Sequence, residues 1–151
     1  MKSLCFFIGC CIFSIATAQT EVPKYDAALA QKLGADDYGM KTYVLVILQT
    51  GSKDETDAEK RKRLFEGHQN NIRKLAEAGK LVVAGPFMQN QLNYRGLFIL
   101  NTSSLDEAKL MLQDDPTISE GIFEVTLLPW YGSAALGEYL PFHSQIEKIK
   151  P

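Results

Sequence analysis

Two segments with the signature of a helix start, Thr56-Asp57-Ala58-Glu59 and Ser104-Leu105-Asp106-Glu107, each stand between apolar runs of strand length. This alternation limits the folds open to the chain more than any other feature. In both, the hydroxyl of the first residue and the carboxylate of the fourth are spaced to satisfy opposite backbone donors at a helix N-terminus. After the first box, Leu64, Phe65, Ile72, Leu75 and Ala76 fall on one stripe, Lys60 to Arg63 forms the solvated start, and Gly79 ends the helix. After the second, Leu105, Ala108 and Leu112 turn inward and the helix stops before Asp115-Pro116. The strands flank these helices. Tyr43 to Leu48 is apolar without alternation, which predicts a strand covered on both faces. Leu81 to Ala84 runs into Gly85-Pro86, where the proline removes a donor and marks an edge or a strand end. Tyr94 to Leu100 is the third strand. Glu120 to Trp130, the fourth, alternates, with Phe123, Val125 and Leu127 on one face and Glu124 and Thr126 on the other.

The order β-α-β-β-α-β defines an α+β fold, the ferredoxin-like sandwich in which both helices cover one face of a four-stranded antiparallel sheet. The first and third strands are apolar on both sides, so the other face needs a cover as well. A second copy of the chain would supply it, and a homodimer joined through that sheet face is expected, with Val44, Val46 and Leu48 presented to the partner. This domain occupies residues 41–132. Residues 19–40 form an extension with one short helix starting at Asp26 and capped by Gly34, followed by an Asp36-Asp37-Tyr38-Gly39 turn. Residues 133–151 read as a C-terminal tail, polar from Glu138 to Lys150.

Residues 1–18 stand apart from the fold. Lys2 supplies a positive start, Leu4 to Ile15 is an apolar run too short to span a bilayer, and Ala16-Thr17-Ala18 has the small-x-small form of a signal peptidase site. Cleavage before Gln19 is expected, and with it a periplasmic or secreted protein with no membrane span once the signal is removed. A lipoprotein signal at Gly9-Cys10 is the weaker reading, because Phe7 stands where an aliphatic residue belongs. The leader takes Cys5, Cys10 and Cys11 with it, leaving no disulfide, thiolate nucleophile or cysteine-ligated metal. Only His68 and His143 remain as imidazoles, so neither a metal site nor a cofactor is expected. The 151 residues carry 16 Lys and Arg against 18 Asp and Glu, a net charge of −2 with no cation excess for nucleic acid. Gly51, Gly85 and Gly96 lack the spacing that cradles a nucleotide phosphate.

His68 lies one turn from Leu64 and one from Ile72, on the stripe that faces the sheet, where an unpaired imidazole is costly. Asp115, after the second helix, is its expected partner. The pair is either a structural hydrogen bond between two helices or a dyad in which the carboxylate orients an imidazole that acts as general base. Asp114 is read as a solvated loop carboxylate. Arg95 has the chemistry to bind a substrate carboxylate or simply to snorkel from its strand. Tyr94 and Trp130 are candidates for the pocket wall, or for packing. His143 falls in the polar tail and is expected to be exposed.

His68, Ala84-Gly85-Pro86-Phe87, Arg95-Gly96-Leu97-Phe98-Ile99, Asp115-Pro116 and Pro129-Trp130-Tyr131-Gly132 together resemble the YCII-related (YciI-like) family over roughly Lys41 to Gly132. The resemblance implies a dimeric α/β barrel fold with a small pocket between helices and sheet that holds a His-Asp pair, here His68 and Asp115. Pro86 joins Arg95, Tyr94 and Trp130 as a candidate substrate contact. It also implies a small-molecule ligand, relatives of the family being similar to enzymes of lyase, isomerase or dehydrochlorination chemistry on small ring compounds. The leader, the extension and the tail depart from the family pattern. Two other functions stand beside an exported acid-base enzyme: a non-catalytic dimer binding a small ligand or haem, and a structural dimer module.

Overall fold

The computed structural model describes residues 24–149; the proposed leader and its cut before Gln19 lie outside them. Helix α1 (Ala27–Leu33) starts on Asp26, whose carboxylate accepts from Leu29 N, and ends on Gly34 at φ 70°, as the sequence suggests. The following turn is tied to the domain, because the Asp36 carboxylate accepts from the Tyr38 and Met40 amides and from the Tyr131 hydroxyl.

The domain comprises β1 (Met40–Thr50), α2 (Ala58–Glu77), β2 (Leu81–Pro86), β3 (Tyr94–Leu100), α3 (Leu105–Gln113), α4 (Pro116–Ser119) and β4 (Phe123–Ser133). Its four strands form one sheet in the order β2-β3-β1-β4, each neighbouring pair antiparallel. This is the α+β ferredoxin-like arrangement. The short α4 is additional, and among the described residues no helix is long and apolar enough to cross a membrane.

Both long helices pack on one face. Leu75 from α2 and Ala108, Met111 and Leu112 from α3 meet Val44, Val46, Leu48, Phe98 and Leu100 in the main core. The expected phase of β1 is therefore inverted: Val44, Val46 and Leu48 point toward the helices, and the far face carries Tyr43, Leu45 and Ile47. An all-apolar strand does not reveal its phase. Its pairing does, because Val46 lies opposite Leu127 and Leu48 opposite Val125, and β4 alternates.

The helix starts also differ in detail. Helix α2 is capped by Asp57 rather than Thr56, its carboxylate accepting from Lys60 N at 2.8 Å. A carboxylate is the stronger partner for the positive end of a helix than the hydroxyl beside it. Helix α3 does start on Ser104, whose Oγ accepts from Glu107 N, but Glu107 does not return the bond directly. Its carboxylate accepts from Thr102 Oγ1, and Thr102 Oγ1 accepts from Ser104 N. Met111, not Leu105, completes the buried stripe of α3; Leu105, the first helical residue, is 37% exposed.

The polar tail is also folded. A 3-10 helix (Ala134–Tyr139) lays Leu136 against Tyr43, Val82 and Ile99 on the far face of the sheet, and α5 (Leu140–Ile146) follows it. The Tyr139 hydroxyl donates to the Val82 carbonyl at 2.6 Å, strapping the tail to β2.

Candidate active site

Asp115 is the pivot of the site. As the N-cap of α4, with Pro116 at the first helical position, it accepts through Oδ1 from Thr117 N at 2.9 Å and from Thr117 Oγ1 at 2.7 Å. Its other oxygen, Oδ2, is 2.6 Å from His68 Nδ1. The side chain is fully buried. Burial acts to raise its pKa, but the hydrogen bonds from His68 and from the Thr117 hydroxyl, the charge of protonated His68 and the Thr117 amide together hold it below the usual carboxylate value.

The imidazole tautomer follows from these bonds. Thr117 Oγ1, which has given its proton to Asp115, also lies 3.3 Å from His68 Nδ1 and has only lone pairs left to offer. Both neighbours of Nδ1 are thus acceptors, so Nδ1 carries the proton and the neutral ring keeps its lone pair on Nε2. No residue among those described hydrogen-bonds to Nε2. The ring is held by three aromatic neighbours, Phe98 in a near-parallel stack at 5.9 Å and Phe123 and Phe65 edge-on at 5.6 and 6.4 Å.

The close approach of α4 to α2 depends on the residue before His68. A Cβ on Gly67 would lie 2.4 Å from Pro116 Cγ, so only glycine lets Pro116, and Asp115 with it, sit against this helix.

His68 lines a cavity of about 970 Å³ between α2 and the sheet. Along α2 the wall is formed by Arg61, Phe65, His68, Ile72 and Ala76, a single helical stripe. Pro86 and Arg95 line the same space, and Arg95 Nε donates to Thr50 Oγ1 at 2.6 Å. Tyr94 and Trp130 are not part of this wall, contrary to expectation. Tyr94 packs on Phe87 where β3 bulges opposite Leu48 and Gln49, and Trp130 packs at a tilt against Tyr43 on the far face. An aromatic residue near a strand end has two faces to choose from, and the register places Trp130 away from the helices. Asp114 bonds Lys74 Nζ at 3.1 Å in solvent. His143 is exposed as expected, yet it reaches the cavity wall together with Tyr139 and Leu140.

Several site residues escape a reading of the sequence. Thr117 has a legible signal, since Asp-Pro-Thr is a helix start with a hydroxyl two residues after the cap, although Asp115-Pro116 serves equally as a stop for the helix before it. Gly67 and Arg61 have none, because their roles depend on which elements meet. No group of three His, Cys, Asp or Glu side chains among the described residues is placed to hold a metal ion.

A ferredoxin-like sandwich with a buried histidine-carboxylate pair beneath its long helix places the protein in a recognisable class. Residues 43–131, more than half of the chain, match the YCII-related domain, and the chain belongs to that family. Among solved structures it is similar to 5-chloro-2-hydroxyhydroquinone dehydrochlorinase (TftG) from Burkholderia phenoliruptrix AC1100, in complex with 2,5-dihydroxybenzoquinone. The identity is 18%, the TM-score 0.43, and the match covers 58% of this chain and 92% of the other. It is also similar to a dimeric protein of unknown function with a ferredoxin-like fold from Bacteroides fragilis NCTC 9343, at 14% identity and TM-score 0.41, covering 61% of this chain and 95% of that one. No curated protein matches the chain.

Proposed function

We propose that the protein is an exported acid-base enzyme, of lyase, isomerase or dehydrochlorinase type, acting on a small ring compound. His68 Nε2 removes a carbon-bound proton; Asp115 is the positioning residue that holds the imidazole in the tautomer able to accept it. The proton then returns to another atom of the substrate, or its departure is coupled to loss of a leaving group. The observation that carries this reading is the saturation of Nδ1 by two acceptors while Nε2 is left without a protein partner, on a residue that lines a cavity with ample room for a small ring compound. Phe65, Phe98 and Phe123 support it by surrounding the imidazole ring with aromatic surface. Export rests on the leader, and N-terminal sequencing should find the mature chain beginning at Gln19.

The test is proton exchange. A panel of small hydroxyquinones, quinols and cyclic ketones incubated in D₂O should include a compound whose C–H signal the protein depletes, and His68→Gln should slow that exchange about a hundredfold or more. Exchange that survives His68→Gln within a few-fold would remove His68 from the role.

A further inference from the structure

The charge of the cavity differs from that of the chain. Although the protein carries a net charge of −2, the residues around this space include Lys53, Arg61 and Arg95, and the one carboxylate among them is Asp54. Asp54 lies largely in solvent, 88% exposed, and reaches only Arg61, at 3.6 Å. Neither Lys53 nor Arg95 has an ion-pair partner among the described residues. Three cations sharing one cavity repel each other, and an anion placed between them relieves that repulsion.

The three cations come from three elements that meet at one end of the site. Lys53 follows β1, in a loop pinned by Gly51 N to Ile122 O at 2.7 Å and Lys53 N to Gly121 O at 3.1 Å. Gly51 is required there, because its Cβ would meet Gly121 O at 2.2 Å. Arg61 lies in the first turns of α2 with its guanidinium over the Phe65 ring, two turns before His68 on the same stripe. Arg95 opens β3, its Nε anchored on Thr50 Oγ1, which leaves the terminal nitrogens for a ligand. The rest of the wall is mostly aromatic and aliphatic, with Gln69, Tyr139 and His143 among its polar members. The site thus combines exposed cations with apolar surface around the imidazole.

We propose that the ligand is an acidic ring compound, its carboxylate or equivalent anionic group bound by Arg95 and Lys53 with Arg61 beside them, and its ring lying against Phe65 and Phe98 next to His68. This rests on the reading of the cavity as the substrate site, and it adds the chemical class.

Matched pairs of ring acids and their amides, such as benzoate with benzamide and 4-hydroxybenzoate with 4-hydroxybenzamide, test it by ligand-observed NMR on the mature chain. Acids should bind about tenfold or more tightly than their amides, and added salt should narrow the gap. Arg95→Gln and Lys53→Gln, both at exposed positions, should abolish the preference while the circular dichroism spectrum is unchanged. A set in which no acid outbinds its amide, or a preference that survives both substitutions together, overturns the proposal. His68→Gln should keep the preference for acids. Proton exchange that survives His68→Gln, with that preference intact, would count against the base alone, so the two readings fail separately.

Discussion

Three donors converge on the two oxygens of Asp115, and their combined effect is felt in acid. The folded-state pKa of this carboxyl lies below its unfolded value, so the stabilisation it provides is complete above the unfolded pKa, about 3.9. As the pH falls below that value the unfolded chain takes up the proton first, and the contribution disappears as the pH passes through the folded pKa. Asp115→Asn should cost about 1–3 kcal/mol at neutral pH, since an amide cannot accept at both of its ends. It should also flatten the acid limb of the stability curve. Urea unfolding followed by circular dichroism from pH 7 to pH 2.5 checks this; an Asn variant with an unchanged acid slope would mean that the carboxylate is not what His68 and Thr117 hold.

The contact between α2 and α4 is set by one missing methyl group. In an ordinary helix, replacing glycine by alanine stabilises by about 1 kcal/mol, but at Gly67 the new Cβ would stand 2.4 Å from a rigid proline ring. The overlap should reverse the sign, and Gly67→Ala is expected to destabilise by about 1–3 kcal/mol and to weaken proton exchange further by moving Asp115 from His68. Thermal unfolding decides: a raised Tm would show that the two helices can separate at little cost. At this scale the sequence is a good guide to element type and order, since capping residues and periodicity are local. Asp26 and Gly34 mark α1 for that reason, and the stripe through Leu64 and Leu75 marks α2. Even His68 and Asp115 could be paired, because a polar residue on a buried stripe demands a partner. The phase of β1 and the positions of Tyr94 and Trp130 could not be read the same way. They depend on how strands align, which no single segment encodes. The folding of the tail is not legible either, because its polar composition hides Leu136, which packs on the far face, and Tyr139, which bonds to β2.

For the whole molecule, the far face of the sheet decides the state of assembly. The 3-10 helix covers its Tyr43 end, while Leu45, Ile47 and Leu97 are only half-buried and Leu128 is 46% exposed. We propose that a second copy covers the remainder, making the protein a homodimer. Ile47→Lys should then give a folded monomer, whereas Val46→Lys, which puts a charge into the helix-covered core, should unfold the chain. Light scattering at micromolar concentration, paired with circular dichroism, separates the two; a wild-type monomer would refute the dimer. The bond from Tyr139 to the Val82 carbonyl has a consequence of another kind. Strand β2 is an outer strand of the sheet, with a register shift between Leu81 and Val83 and a proline at its end. Open strand margins recruit the margins of other chains, and each of these features makes this one a poor template for such stacking. By occupying one of its remaining acceptors, the tail that helps wall the cavity leaves one carbonyl fewer on this margin for a strand of another chain to bind.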